Sequence, residues 1–213
     1  MIKIETPIKD FYNIVASEFD ITRVRLWNCV KEYLDLFKSN SFILDIGCGN
    51  GKYFNYRKDI IIKGIDLSHE LVKICQNKKL DVIEGNMLNL PFENNLFDGL
   101  LVVASYHHLN NDNDRLQALN EMYRVLKPNG LCFIEVWAMY QYENVNKNAN
   151  FSNTDELVSW KTKNGDILYR YYHIYKENDL ELEIKKLKPE FNIIKNGYEK
   201  GNYYIILQKN ILN

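Results

Sequence analysis

The stretch Leu44-Asp45-Ile46-Gly47-Cys48-Gly49-Asn50-Gly51 decides the fold. It ends a short β-branched run, Phe42 to Ile46, with glycines at alternate positions. Glycines directly after a strand let the backbone turn sharply and let a ligand come close to the amides. The spacing is Asp-x-Gly-x-Gly-x-Gly. A dinucleotide fingerprint would place its third glycine at position 52, where Lys52 stands, so the turn is a poor pyrophosphate cradle.

Working outward, four more runs have the texture of strands buried on both faces: Ile60 to Ile65, Leu80 to Glu84, Phe97 to Ala104 and Leu131 to Trp137. Helical spacing of apolar residues appears between them at His69 to Gln76 and Arg115 to Leu126. It also appears ahead of them at Phe11 to Phe19 and Leu26 to Phe37. Lys127-Pro128-Asn129-Gly130 should stop the helix before the fifth strand. Strand alternating with helix predicts an α/β, doubly wound, Rossmann-like fold with a mostly parallel sheet and extra N-terminal helices. Tyr142 to Thr154 is Asn-rich and reads as a mobile loop. Beyond it, strands are expected at Leu168 to Tyr175, Phe191 to Ile194 and Tyr203 to Gln208, with a helix at Glu177 to Leu187. Lys195 to Asn202 reads as the turn of a C-terminal antiparallel hairpin. No linker or repeat interrupts the chain. We expect one domain: a helical segment over 1–40, a cofactor-binding core over 41–141 and a substrate-side closing segment over 142–213.

Composition narrows the classes. The 213 residues are 46% hydrophobic and 26% charged, enough to build a core. No apolar run approaches the roughly 18 residues needed to span a membrane, and the N-terminus lacks the apolar stretch of a signal peptide. Cys29, Cys48, Cys75 and Cys132 have none of the spacings of a zinc site, so no metal is expected. They suit reduced thiols in the cytoplasm, or in the nucleus as a second compartment. The net charge of −1 offers no basic excess for gripping nucleic acid alone.

The glycine turn resembles that of the S-adenosylmethionine-dependent methyltransferases of the doubly wound class, whose cofactor carries no pyrophosphate. Two further stations agree with it. Asp66 ends the second strand, nineteen positions after Gly47, where a carboxylate can accept both ribose hydroxyls. Asn86 ends the third, where its amide can receive the adenine amine, uncharged and so more weakly than an Asp. The resemblance implies S-adenosyl-L-methionine as cofactor, with S-adenosyl-L-homocysteine as product. The expected cofactor set is Arg23, Asp45, Gly47, Cys48, Gly49, Gly51, Asp66, Leu67, Asn86, Met87 and Val103. Leu90-Pro91-Phe92, Phe97-Asp98 and Arg124-Val125-Leu126-Lys127-Pro128-Asn129-Gly130 also resemble this class. No Asn/Asp-Pro-Pro-Tyr/Phe box follows the fourth strand, which argues against methylation of an exocyclic amine.

A narrower resemblance, over roughly residues 11–209, is to the eukaryotic tRNA wobble-uridine carboxymethyl methyltransferases. It is carried by Phe11 to Ala16 with Thr22, Arg23 and Trp27, by Val136-Trp137-Ala138-Met139-Tyr140-Gln141, and by Trp160 with Arg170-Tyr171-Tyr172-His173-Ile174-Tyr175. Gly197-Tyr198-Glu199 and Gly201-Asn202-Tyr203-Tyr204 complete it. Ser159, Tyr203 and Asn129 depart from the family's habits of Pro, Trp and Gly. The family's reaction methylates the carboxylate of 5-carboxymethyluridine in the tRNA anticodon loop. A carboxylate is already ionised at neutral pH, so the site needs a clamp more than a base. Arg170 is the expected clamp, because a guanidinium matches a carboxylate fork, and His107 is expected to hydrogen-bond the same group or the base edge. Trp27, Trp137, Tyr171, Tyr172, His173 and Asn202 are the expected substrate contacts, although Trp137 and Tyr172 could equally be core aromatics. Arg23 could serve the cofactor's carboxylate or the substrate's. The family works with a small zinc-binding activator protein, here expected as a heterodimer through the edge strand Leu80 to Glu84. A small-molecule O-methyltransferase and a non-catalytic scaffold of the same fold are the alternatives.

Overall fold

The computed structural model describes residues 4–141, 151–188 and 190–210. Two helices open the chain, α1 (Ile8–Thr22) and α2 (Asn28–Leu34). Then come β1 (Phe42–Ile46), β2 (Ile61–Asp66), α3 (His69–Asn77) and β3 (Val82–Glu84). β4 (Phe97–Val103) runs through a single 3₁₀ turn, Tyr106–His108, into α4 (Asp112–Val125) and β5 (Leu126–Trp137). β6 (Asp155–Lys161), β7 (Ile167–His173), α5 (Asp179–Ile184), β8 (Phe191–Glu199) and β9 (Asn202–Lys209) complete it.

Seven strands form one sheet in the order β3-β2-β1-β4-β5-β9-β8. The first five are parallel; β9 runs antiparallel to both β5 and β8. The α/β doubly wound architecture follows from alternation within the apolar runs. On β4, Leu100 and Val102 pack with α4 and α5, whereas Leu101 faces α2 and Phe133 on the other side. Both faces are covered, which is why these strands read as continuous apolar runs rather than alternating ones. The chain reverses its order of strands between β1 and β4, and ligands of such folds bind at that crevice. α3 and α4 start where a side chain accepts an orphan amide: Ser68 from Leu71 N at 3.2 Å and Asn111 from Asp114 N at 2.9 Å.

Two expectations are corrected, and one strand was not foreseen. α4 ends at Val125 and β5 begins at Leu126, before the Pro-Asn-Gly segment. Leu126 pairs with Phe97 and Leu131 with Gly99, so Lys127 to Gly130 bulges out of a strand instead of capping a helix, with Asn129 at φ +61°. The hairpin turn expected over Lys195 to Asn202 shrinks to Lys200 and Gly201, both at positive φ, because β8 keeps its ladder with β9 as far as Glu199. The unforeseen strand is Asp155–Lys161, which carries Trp160. It pairs with β7 in a separate two-stranded sheet, and Thr6 N donates to Tyr169 O (2.7 Å) along its other edge. The expected loop over Tyr142 to Thr154 falls mostly on 142–150, outside the described residues.

The Asn111 cap is exposed and is not among the residues that line the crevice. Asn111→Ala should lower stability by about 1 kcal/mol in a denaturant titration and leave cofactor affinity unchanged.

Candidate active site

A cavity of about 490 Å³ opens above the carboxyl ends of β1, β2, β4 and β5. Its floor is the glycine turn. Gly47, Gly49 and Gly51 all have φ near +60 to +70°, and a Cβ on Gly47 would run into the Ser105 side chain. Asp66 is fastened from one side: Oδ2 accepts from Gly49 N (2.8 Å) and Oδ1 from Ser68 N (2.9 Å). Each oxygen keeps lone-pair capacity for a further donor. Burial raises the Asp66 carboxyl, and these amides oppose the rise. Asn86 closes a tight turn by accepting from Leu88 N (3.0 Å), and Leu67, Met87 and Val103 line the apolar wall beside it.

Two more carboxyls are sunk in this floor. Asp45 is 2% exposed and Glu135 1%, and Asp45 Oδ2 and Glu135 Oε2 have no hydrogen-bond partner among the described residues. Burial pushes Asp45 up to about 7, with Lys52 opposing and Asp66 adding. Burial likewise pushes Glu135 up to about 8 against the pull of Lys52. An acidic, desolvated floor suits a cation.

The roof is cationic and aromatic, and comes from elements far apart in sequence. Alternation on β7 turns Arg170 and Tyr172 inward. Arg170 is 4% exposed, and its guanidinium lies 4.5 Å from the Phe11 ring centre, 4.9 Å from Tyr172 and 5.5 Å from Trp160. Nε and Nη2 donate to the Tyr172 hydroxyl at 3.1 and 2.8 Å, while Nη1 has no partner. His108 bridges roof and floor. Its Nδ1 sits 2.9 Å from Tyr171 O, a pure acceptor, so the proton belongs on Nδ1. Nε2 then accepts from the Tyr12 hydroxyl at 2.8 Å. Burial holds this imidazole down to about 3, and so neutral.

Most expected residues reach this cavity: Arg23, Trp27, Asp45, Gly47, Cys48, Gly49, Asp66, Leu67, Asn86, Met87, Val103, Trp137, Arg170, Tyr172 and Asn202 all line it. Four do not. His107 is fully buried behind Trp137 and Tyr172, with Nδ1 accepting from Trp137 N (3.2 Å), so the histidine at the wall is His108. Tyr171 and His173 point to the outer face of β7, where both hold Asp155; strand alternation forbids them the side that Tyr172 takes. Gly51 faces Leu80 and Cys75, away from the cavity. Trp137 and Tyr172, expected as open platforms, stack on each other at 4.3 Å. Tyr12, Lys52, Glu135 and Trp160 were not foreseen as site residues, and His108 stood beside His107 without a signal to choose between them. Tyr12 and Trp160 lay in the stretches that carry the family resemblance, and Glu135 is a lone acid inside the apolar run Leu131 to Trp137. Among the described residues no three His, Cys, Asp or Glu side chains gather to hold a metal ion.

The comparisons agree with this geometry. Residues 44–134 match the model of the methyltransferase domain family. A Methanosarcina mazei SAM-dependent methyltransferase superimposes with a TM-score of 0.69 at 19% identity, over 88% of this chain and 99% of that one. A chain from the complex between the Haloferax volcanii Trm112 methyltransferase activator and a methyltransferase gives 0.71 at 14%, over 97% and 99%. The fold and crevice are those of a class I methyltransferase that uses S-adenosyl-L-methionine. Its residues fit that cofactor: a glycine floor with no room for a Cβ at Gly47, a fastened acid at the ribose station and orphan carboxyl oxygens for a cation.

The tRNA (carboxymethyluridine(34)-5-O)-methyltransferase of Schizosaccharomyces pombe is 32% identical over 95% of this chain and 96% of its own length. The chain belongs to that family. The Arabidopsis thaliana protein of the same name is 40% identical over 61% of this chain, which covers 32% of its length. Thus the chain spans about a third of one relative and nearly all of another.

Two outcomes follow from the floor. Asp66→Ala should weaken S-adenosyl-L-homocysteine by about tenfold or more in calorimetry, since it removes a charged acceptor. Asp45 and Glu135 bind protons in the folded state at pH values where the unfolded chain has lost them. The ligand-free protein should therefore lose stability as pH rises from about 5 to about 8. Asp45→Asn with Glu135→Gln should flatten that slope in thermal melts.

Proposed function

We propose that this enzyme methylates the carboxylate of 5-carboxymethyluridine at the tRNA wobble position, giving the methyl ester. The observation that carries the reading is Arg170. It is a buried guanidinium with an unpartnered Nη1, and no carboxylate pairs with it among the described residues. An uncompensated buried cation is costly, and a site that tolerates one is built for an anionic ligand. The relatives named for this reaction support the choice of anion.

When bound, S-adenosyl-L-methionine supplies an electrophilic methyl group on a sulfonium sulfur. The chain's own residues have two tasks. Asp45, Asp66 and Glu135 give the floor its acidic groups, and Asp45 and Glu135 release their protons to solvent as the cationic cofactor enters. Arg170, assisted by Arg23 at the mouth, draws the carboxylate to the opposite wall. Two bonds to Tyr172 and three aromatic neighbours fix the guanidinium plane, so one carboxylate oxygen is gripped while the other stays free to attack. No proton has to be removed, which agrees with a neutral His108 whose two nitrogens are already engaged. Holding reactants in line in this way can supply about 7–11 kcal/mol of barrier reduction. Tyr172 is enclosed by Trp137 and the two histidines, so the half-buried Trp137 is the ring offered to the base, and Trp27 and Asn202 line the same cavity.

A partner belongs to the reading. The chain's net charge gives it no basic excess, and β3 is a short edge strand suited to pairing with another chain. The similarity to the methyltransferase fold found with an archaeal activator supports a small activator in the same role. The compartment that goes with this reading is the reducing cytoplasm or the nucleus, where the four buried cysteines would stay as thiols.

The test is nucleoside mass spectrometry of tRNA from cells lacking the protein. The methyl ester should vanish and its free acid accumulate; unchanged ester levels would end the proposal. In reconstituted reactions with activator, Arg170→Ala should lower turnover on tRNA by roughly 10²- to 10³-fold while leaving S-adenosyl-L-homocysteine affinity within about twofold.

A further inference from the structure

Lys52 and Glu135 both line the cavity, and no hydrogen bond or ion pair joins them among the described residues. Glu135 rises from β5 on the same face as Phe133 and Trp137, opposite Val103 in the register, and lines the cavity. Its Oε2 is buried and has no partner. Lys52 follows the glycine turn directly. Its ammonium lies over the Tyr53 ring at 4.9 Å, and among the described residues it forms no ion pair. Of the charges around Lys52, Glu135 attracts it most and Asp45 next, with Arg23 repelling it; Lys52 is in turn the principal charge acting on Glu135. Asp45 Oδ2 is a second buried, unpartnered acceptor on the same floor.

An ammonium and a carboxylate attract each other strongly in a poorly solvated site. Here they are anchored on different elements, Lys52 on the loop after β1 and Glu135 on β5, and they form no ion pair. A site with an acid on one side and an ammonium on the other complements a ligand group that carries both charges. Such a group is a zwitterionic α-amino acid, its ammonium toward the acid and its carboxylate toward the lysine.

We propose that Lys52 and Glu135 clamp the amino-acid end of S-adenosyl-L-methionine, Glu135 receiving the α-ammonium and Lys52 the α-carboxylate. This goes beyond the wobble-uridine reading and does not depend on it, because the tRNA end of the cavity takes no part. The clamp makes the chain selective for cofactor analogues that keep the whole amino-acid end. Arg23 and Arg25, which line the exposed mouth, are then left for the anionic substrate.

The test uses calorimetry on the purified chain with three ligands. These are S-adenosyl-L-homocysteine, its analogue lacking only the α-carboxylate, and methylthioadenosine, which lacks the entire amino-acid end. Glu135→Gln should weaken the first two by roughly tenfold to a hundredfold and leave methylthioadenosine unchanged. Lys52→Met should weaken S-adenosyl-L-homocysteine alone. Equal losses for all three ligands would mean a purely structural role and would overturn the proposal, as would unchanged S-adenosyl-L-homocysteine binding in either variant. Should Glu135→Gln not fold, Lys52→Met decides by the same comparison. No RNA or activator enters the assay, so its failure leaves the wobble-uridine proposal standing, and the reverse also holds.

Discussion

Across a single desolvated cavity the chain keeps unlike charges apart. Asp45, Asp66 and Glu135 lie in the floor, Arg170 in the roof, and none of the four is paired with a group of opposite sign among the described residues. Each would be cheaper in water, and left uncompensated each costs stability. Two apolar cores, one on either face of the sheet, offset that cost. The larger packs α4 and α5 against β1, β4 and β5, and the other packs α2 on their opposite side. This arrangement gives the cavity its direction: the acids of the floor favour a cationic ligand, with Lys52 beside them for an anionic end, and Arg170 in the roof favours an anion.

Rigidity at the roof comes from aromatic packing more than from ion pairs. Phe11 meets Trp160 edge-on at 6.2 Å, Tyr12 meets Phe19 at 5.5 Å and His108 at 5.5 Å, and Tyr172 lies between Trp137 and the two histidines. Arg170 is held inside this cage by ring faces and a phenolic oxygen, which restrain it without neutralising it. A carboxylate from the chain in the place of Tyr172 would cancel the charge that the proposed reaction needs. His107, fully buried, supports the same layer from behind by holding the backbone of Trp137.

The α/β fold was legible because its signals are local. The strand-turn pattern at Leu44 to Gly51, the acid at Asp66 and the Asn at position 86 each sit within a few residues of a strand end, and the parallel order places them side by side. The roof was only partly legible. Arg170 and Trp160 were singled out by resemblance, yet Asp155–Lys161 was not read as a strand, its alternation being blurred by Trp160 and the charged residues around it. Tyr171 and His173 were expected as substrate contacts beside Tyr172 and lie on the other side of β7, because a run of aromatic and polar residues, Tyr169 to His173, offers no apolar alternation from which to read the inward side. The choice of His108 over His107 depended on the 3₁₀ turn that carries them, and no periodicity predicts which side of one turn faces a cavity.

By itself the sequence determined the order of strands and helices as far as β5, the glycine turn and the acids at the ends of the first two parallel strands. Those follow from backbone sterics and apolar periodicity acting over a few residues. Only the tertiary structure decided that α1 and the β6–β7 ribbon close over the crevice, that Arg170 has aromatic neighbours and no acid, and that Lys52 and Glu135 share a floor without pairing. Most of these depend on contacts between distant segments, Phe11 with Arg170 and the loop at Lys52 with the strand at Glu135, where side-chain packing sets which charges meet.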